Sequence, residues 1–174
     1  MLNPHQKNSM MNVSVFKNFH EVSENLALSV ILEQIKDGRF KSQILNLRTL
    51  LQEGKKAEYD TKKKSLLSFT PSGTFNGHRK LENLIQYSNC IILDVDKLNP
   101  EDLAKAKSAA INIPETYACF ISPSNNGLKI LVKIDSKAEH HKQAFNQVKE
   151  HYEQLLKIPI DPSGKDIPRL CFYS

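Results

Sequence analysis

The chain has 174 residues, of which 40% are hydrophobic and 25% charged, and it contains no tryptophan. This is the composition of an ordinary globular protein, and it excludes a low-complexity or membrane-spanning chain. The net charge of +5 permits a nucleic-acid partner without demanding one. Cys90, Cys119 and Cys171 are far apart and lie in apolar runs, so we expect reduced thiols in a cytoplasmic protein with no membrane segment.

The N-terminal part of the chain predicts a small α/β module over residues 13–87, after a flexible N-terminus at 1–12. "NVSVFKNF" is typical of a short strand, and helical spacing of apolar residues predicts helices over 24–37 and 40–53. "KKAEYDTKKK" is interpreted as a charged connector. A short strand follows in "SLLSF", and then a turn at Pro71-Ser72-Gly73.

Residues 88–174 have a more regular pattern. Strands are predicted over 90–95, 117–122, 128–134 and 169–173, with helices from Pro100, capped by Asn99, to Ala110 and over 137–157. The order β-α-β-β-α-β is that of the ferredoxin-like, or RRM-like, unit. The predicted fold class is therefore α+β, with the smaller N-terminal module packed beside this unit in one domain over 13–174.

The strand pattern places charged residues together. Ile91, Leu93 and Val95 share the face that the helices cover, so Asp94 and Asp96 project from the other, open face. With the strand order 4-1-3-2 that is usual for this fold, the end of the first strand lies beside the starts of the third and fourth. Those starts carry Lys129 and Arg169, with Asp161 and Asp166 just before Arg169. Carboxylates gathered in this way repel each other unless a divalent cation neutralises them, which predicts a metal site.

Each motif also has a simpler interpretation. A D-x-D at a strand end is commonly solvated turn chemistry or part of a helix cap, and "SPSNNGLK" is a hairpin loop rich in turn formers. "GKDIPR" can be a loop with a surface ion pair, and His78-Arg79-Lys80 a solvated stretch. Only the convergence of these motifs at one edge of the sheet favours a site.

The ordered motifs resemble those of the archaeo-eukaryotic primase superfamily. Asp94-Val95-Asp96, "SPSNNGLKILV" and Asp161 with Arg169 follow the order of its three motifs. More closely, "FTPSGTF", "ENLIQYSNCIILDVDKL", "SPSNNGLKILVKID" and "IDPSGKDIPRLCFYS" are similar to the N-terminal domain family of virulence-associated protein E, also called BT4734-like. The resemblance covers residues 13–174.

The resemblance implies roles for individual residues. Asp94, Asp96 and Asp161 would be the catalytic carboxylates and would hold Mg²⁺ or Mn²⁺, with Asp166 as the next candidate for the third ligand. Ser122, Ser124, Lys129 and Arg169 would contact a nucleoside triphosphate. Lys129 stands where the superfamily usually has histidine; a lysine can pair with phosphate but cannot act as a neutral imidazole.

These expectations point to a primase-polymerase-like nucleotidyltransferase domain of a mobile-element replication protein, acting on a single-stranded DNA template by two-metal catalysis. His78, Arg79, Lys80 and Lys133 would contact the nucleic acid, and a helicase-type ATPase domain would follow C-terminally. The alternative is an inactive RRM-like module that binds nucleic acid or nucleotide for a helicase partner; a scaffold with a vestigial site is a third reading. We also expect Asp94→Asn to abolish transfer at little cost in stability, since clustered carboxylates repel.

Overall fold

Within residues 11–174, which the computed structural model describes, the chain forms nine strands and five α-helices. The predicted flexibility of residues 1–10 lies outside this range, and residue 12 already belongs to the first strand. The strands are β1 (Asn12–Phe16), β2 (Glu24–Ala27), β3 (Ser68–Thr70), β4 (Gly73–Phe75), β5 (Leu84–Tyr87), β6 (Cys90–Val95), β7 (Thr116–Ile121), β8 (Leu128–Lys133) and β9 (Cys171–Phe172). The helices are α1 (Leu28–Lys36), α2 (Lys41–Gln52), α3 (Lys56–Lys63), α4 (Pro100–Ile111) and α5 (His141–Leu156).

The mixed α+β class predicted from the sequence is confirmed, and its centre is the antiparallel sheet β6-β8-β7. The predicted strand over 90–95 has the bounds of β6. Helix α4 begins as expected, because the Asn99 side chain accepts a hydrogen bond of 2.8 Å from the amide of Asp102 and Pro100 takes the first helical position. Helices α4 and α5 pack on the sheet face that carries Ile91, Leu93 and Val95.

The predicted strand order 4-1-3-2 is not found, because the last strand lies elsewhere. The strands predicted as first, third and second do lie in that order, as β6-β8-β7, but β9 pairs with β3 in a four-stranded sheet, β2-β1-β3-β9. A single bridge between Asp94 and Asp161 takes the place beside β6. The segment from 157 to 170 contains Pro159, Pro162 and Pro168, and residues without an amide hydrogen cannot continue a ladder.

The face of β6 that was predicted to be open is covered. Cys90, Ile92 and Leu131 are fully buried in a cluster with Val13 and Phe69 of the β2-β1-β3-β9 sheet. The sheet β6-β8-β7 therefore lies between two helices and a second sheet. The continuous apolar run Cys90–Leu93 is itself the pattern of a strand that is buried on both faces.

Two predictions for the N-terminal part are wrong in detail. Residues 24–27 form strand β2 rather than the first turn of a helix. The charged connector is helix α3, in which Tyr59 is buried against Leu47 and Leu66 and Lys56 pairs with Asp60 at 2.7 Å. The burial of Tyr59 and this i,i+4 ion pair stabilise the helix. The sequence did not predict it because its many charged residues leave no apolar periodicity.

Among the described helices, none combines the length and the apolar character that a membrane crossing would require.

Candidate functional site

Asp94 is the most deeply buried carboxylate of the predicted site. It is 1% exposed, whereas the prediction placed it on an open sheet face. Its cross-strand neighbour is Lys129, whose ammonium contacts Asp94 Oδ1, and Arg169 donates from Nη2 to Asp94 Oδ2 at 3.1 Å. A charge this deep requires compensation, and two cations from separate segments provide it.

These residues line one pocket of about 340 Å³, which we call the Asp94 pocket. Asp96, directly after β6, is exposed and lines the pocket beside Asp94. Four cationic side chains outnumber these two carboxylates, and an aromatic and apolar wall completes the lining. The lining residues are Phe19, Lys63, Arg79, Asp94, Asp96, Ser122, Pro123, Ser124, Lys129, Arg169, Leu170 and Phe172.

The loop between β7 and β8 presents the two predicted serines to the pocket. The Ser122 amide donates to the carbonyl of Gly127 at 2.9 Å, and the hydroxyls of Ser122 and Ser124 lie 3.0 Å apart. Gly127 has to be glycine here, because a Cβ would lie 2.7 Å from the carbonyl oxygen of Val95 and 3.0 Å from Asp96 Oδ1. Arg48 of α2 holds the loop from outside by donating to the carbonyls of Pro123 and Ser122, at 3.3 and 3.4 Å.

Helix α3 supplies a pocket residue that the sequence interpretation missed. The Lys63 ammonium lies 5.6 Å from the ring centre of Tyr59 and 5.1 Å from that of Phe172. Burial, together with the charge of Lys129, lowers the pKa of Lys63. The i,i+4 spacing of Tyr59 and Lys63 was the available signal, because it puts both side chains on one side of a helix.

Phe19, also missed, brings an aromatic ring from the N-terminal part to the same pocket. Its ring packs edge-on against Phe172, with 5.8 Å between ring centres. No pattern around "FKNF" signals this position, since the residue lies in an irregular segment after β1. It reaches the pocket because β1 and β9 both pair with β3.

Asp161 is tied to Asp94 through the backbone but does not line the pocket. Its amide donates to the Asp94 carbonyl at 2.8 Å, and its Oδ1 accepts from the amide of Ser163 at 2.8 Å, which caps a 3-10 helix over Pro162–Lys165. Partial burial alone would raise the pKa of Asp161, but the hydrogen bonds from Ser163 and the nearby charges of Arg169 and Lys129 lower it. Asp166 is exposed and lines a different pocket.

The three carboxylates are not gathered as a ready-made metal centre. Across residues 11–174, no three side chains of His, Cys, Asp or Glu come close enough together to hold a metal ion. Asp94 and Asp96 share a pocket, and one or two carboxylates are the usual protein contribution to a Mg²⁺ site that substrate phosphates and water complete. The residues therefore fit a cation bound together with a phosphate ligand, and they do not fit a cation held by the protein alone.

The residues predicted to contact nucleic acid lie in different places. Arg79 lines the Asp94 pocket and is anchored by donating to the carbonyls of Phe19, at 2.9 Å, and Pro168, at 2.5 Å. His78 and Lys80 are exposed, and Lys80 lies 3.7 Å from Glu82. Lys133 pairs with Cys90 at the opposite end of β6 from Asp94, about 13 Å along the strand at roughly 3.3 Å per residue.

Comparison with known proteins gives a family for this fold and site. The model of the BT4734-like, N-terminal domain family matches residues 61–174, from the last turn of α3 through β9. The match covers more than half of the chain, and the chain therefore belongs to the BT4734-like N-terminal domain family. The searches of curated proteins and of solved structures returned no match.

The matched region contains most of the lining of the Asp94 pocket, including Lys63, Asp94, Lys129 and Arg169. Phe19 and Arg48 lie before it. The match confirms the predicted resemblance to the BT4734-like family over residues 61–174. It does not extend to the primase superfamily, and it assigns no activity.

Proposed function

We propose that this chain is a primase-polymerase-type nucleotidyltransferase domain that adds nucleotides on a single-stranded DNA template, within the replication protein of a mobile element. The observation that carries the proposal is the composition of the Asp94 pocket, in which two carboxylates separated by one residue stand among four cations and two serine hydroxyls. The excess of cationic over anionic side chains suits a triphosphate, and the two carboxylates suit the divalent cation that accompanies it.

The cations that now neutralise Asp94 are placed to serve a phosphate. The side chains of Lys129 and Arg169 are 14% and 34% exposed, whereas that of Asp94 is 2% exposed. Each cation therefore has part of its surface toward the pocket while it contacts the buried carboxylate. Lys129 would contribute a point charge and Arg169 a planar fork to the phosphates, with the serine hydroxyls adding hydrogen bonds.

The proposed cofactor is Mg²⁺ or Mn²⁺, held by Asp94 and Asp96 together with the substrate phosphates. When bound, it would lower the pKa of the attacking 3′-hydroxyl and offset the charge of the departing pyrophosphate. Asp161, whose lowered pKa keeps it ionised at neutral pH, is the third carboxylate of the proposal. In this structure it acts by fixing the backbone of Asp94.

The alternative function is an inactive module that binds nucleotide or nucleic acid. Its support is the pairing of Asp94 with Lys129 and Arg169, since a carboxylate neutralised by protein cations has no need of a metal. Phe19 and Phe172 offer such a module aromatic surface.

The proposed setting follows from the family resemblance. A helicase-type ATPase domain C-terminal to this one would supply opened single strands, and the compartment would be the cytoplasm. The three cysteines are free, and burial raises the pKa of Cys90 to about 12 and that of Cys119 to about 11. Unpaired, unreactive core thiols are typical of a reducing compartment.

The experiment is a primer synthesis and extension assay on single-stranded DNA, with labelled ribo- and deoxynucleotides and with Mg²⁺ or Mn²⁺. Wild type should incorporate nucleotide only with metal, and Asp96→Asn, at an exposed position, should remove incorporation while leaving the fold intact. Triphosphate binding without incorporation under any of these conditions would favour the binding module. Incorporation that persists undiminished in Asp96→Asn would remove Asp96 from the catalytic set.

A further inference from the structure

A second and larger pocket adjoins the Asp94 pocket through two shared arginines. It has a volume of about 670 Å³, and both Arg79 and Arg169 line it. We call it the Lys142 pocket, after the lysine in the first turn of α5. Its lining residues are Arg79, Leu81, Ala138, Glu139, His141, Lys142, Ser163, Lys165, Asp166, Ile167, Pro168 and Arg169.

The Lys142 pocket has four cationic side chains against two carboxylates. Lys142 and Lys165 are exposed, and neither has an ion-pair partner within residues 11–174. They come from different elements, α5 and the 3-10 helix over Pro162–Lys165, so the fold brings them to one pocket. Lys142 also lies in the first turn of a 16-residue helix, the end at which the peptide dipoles favour an anion.

His141 contributes structure rather than charge to this pocket. Its ring is buried, its Nδ1 lies 2.7 Å from the Tyr87 hydroxyl, and burial lowers the pKa of the ring. The positive balance of the pocket therefore comes from lysines and arginines, which keep their charge across the physiological pH range. Apart from the His141 ring, the described lining has no aromatic side chain on which a base could stack.

We infer that the Lys142 pocket binds the phosphodiester backbone of the single-stranded nucleic acid whose end enters the Asp94 pocket, an inference that rests on the proposed function. Exposed lysines that have no ion-pair partner are suited to phosphates along a strand, and a described lining with no aromatic ring beyond the buried His141 favours contacts with the backbone over contacts with the bases. Arg79 and Arg169 line both pockets, so a strand bound in the Lys142 pocket would continue along them into the Asp94 pocket. The inference assigns the contacts with the strand to Lys142 and Lys165 in place of Lys80 and Lys133, which line neither pocket.

The test is fluorescence anisotropy of a labelled oligothymidylate at several salt concentrations, with two double variants of equal charge change. Lys142→Ala/Lys165→Ala removes the proposed contacts, and Lys80→Ala/Lys133→Ala removes two exposed lysines that line neither pocket. A melting temperature for each variant confirms that it folds. A parallel titration with a labelled nucleoside triphosphate reports on the Asp94 pocket alone.

The first variant should lose at least about tenfold in strand affinity, and the slope of log affinity against log salt should fall by about 1.4, or about 0.7 for each lost phosphate contact. The control variant should change affinity less than about twofold, and both should bind the triphosphate as wild type does. Equal strand affinities for the two variants would overturn the inference. That result would not count against triphosphate binding in the Asp94 pocket, which the parallel titration measures separately. Loss of triphosphate affinity in the first variant would also overturn it, since the pocket would then serve the free nucleotide. Wild type that binds neither ligand would overturn the proposed function itself.

Discussion

The backbone amide of Asp161 donates a hydrogen bond of 2.8 Å to the carbonyl oxygen of Asp94. This bond joins the backbones of two acidic segments that are 67 residues apart in the sequence. It does so without a contact between their carboxylates. It leaves the Asp94 side chain to Lys129 and Arg169. The motifs are thus assembled by the fold, and a cation is not required to hold them together.

Asp94→Asn should lower the free energy of unfolding by about 1–3 kcal/mol, because it leaves two partly buried cations without their anion. The sequence alone predicts little cost, and the 1% exposure of Asp94 reverses that expectation. Urea denaturation of wild type, Asp94→Asn and the exposed control Asp96→Asn measures the effect. The control should stay within about 0.5 kcal/mol of wild type. An Asp94→Asn protein as stable as wild type would mean that the ion pairs contribute nothing to the fold.

Gly127→Ala should damage both the fold and the pocket. The added Cβ would meet the Val95 carbonyl at 2.7 Å and Ser122 Oγ at 3.0 Å, and overpacking of this kind costs about 1–3 kcal/mol. Triphosphate affinity should fall as well, because the loop carries Ser122 and Ser124. Asn125→Gly in the same loop is the control, since Asn125 already has a φ of 64° and glycine tolerates it. Melting curves and a nucleotide titration that leave Gly127→Ala unchanged would refute the packing argument.

Lys63→Met should weaken triphosphate binding at least about fivefold while leaving the melting temperature unchanged or slightly higher. The substitution keeps an apolar stem against Tyr59 and Phe172 and removes a charge that burial and Lys129 both disfavour. Lys64→Met, at the exposed end of the same helix, is the matched control. If both variants bind the nucleotide as wild type does, Lys63 has no part in the pocket.

Stability should fall on mild acidification because of His141. Burial lowers its pKa in the folded protein, so between that value and the unfolded pKa of about 6.5 the unfolded chain binds more protons. The stability that depends on a neutral His141 is fully present above a pH of about 6.5. It is lost as the pH falls below that value, by at most about 1.4 kcal/mol per pH unit. Asp161, with a lowered pKa, contributes a loss only at more acidic pH. Denaturation at pH 7.5, 6.5 and 5.5 should show the fall in wild type and in His140→Gln, an exposed control, and a smaller fall in His141→Gln. Equal slopes in all three proteins would contradict it.

Local signals in the sequence were sufficient for the central sheet and its helices. The apolar run of β6, the Asn99-Pro100 start of α4 and the turn formers before β8 each specify structure over a few residues, and the structure agrees with them. The set of residues lining the Asp94 pocket was recovered in part on the same basis. Asp94, Asp96 and Lys129 follow from strand alternation and register. Arg169 was expected there from a strand order that the structure does not show, and it contacts Asp94 from the segment before β9.

The errors concern features that only the assembled chain decides. The open sheet face was assumed, and a second sheet occupies it through Ile92 and Leu131. The partner of β9 could not be read from two residues, and three prolines in the preceding segment prevented a ladder beside β6. Lys63 reaches the pocket from a helix whose i,i+4 pairing with Tyr59 was the one available signal, and Phe19 reaches it from an irregular segment that has no such pattern.

The most direct test of the central claim, that the Asp94 pocket binds a nucleoside triphosphate, is a titration of labelled nucleotide with Mg²⁺ or Mn²⁺ into wild type, Lys129→Ala and Lys133→Ala. Lys129 lies across from Asp94 in the pocket, and Lys133 lies at the far end of the same strand. Lys129→Ala should lose about 1.5–3 kcal/mol of binding free energy, the worth of a hydrogen bond to a charged group, or about 10- to 150-fold in affinity. Lys129→Arg should keep part of it, and Lys133→Ala should match wild type. Equal affinities for wild type and Lys129→Ala would contradict the claim and reduce "SPSNNGLK" to a turn.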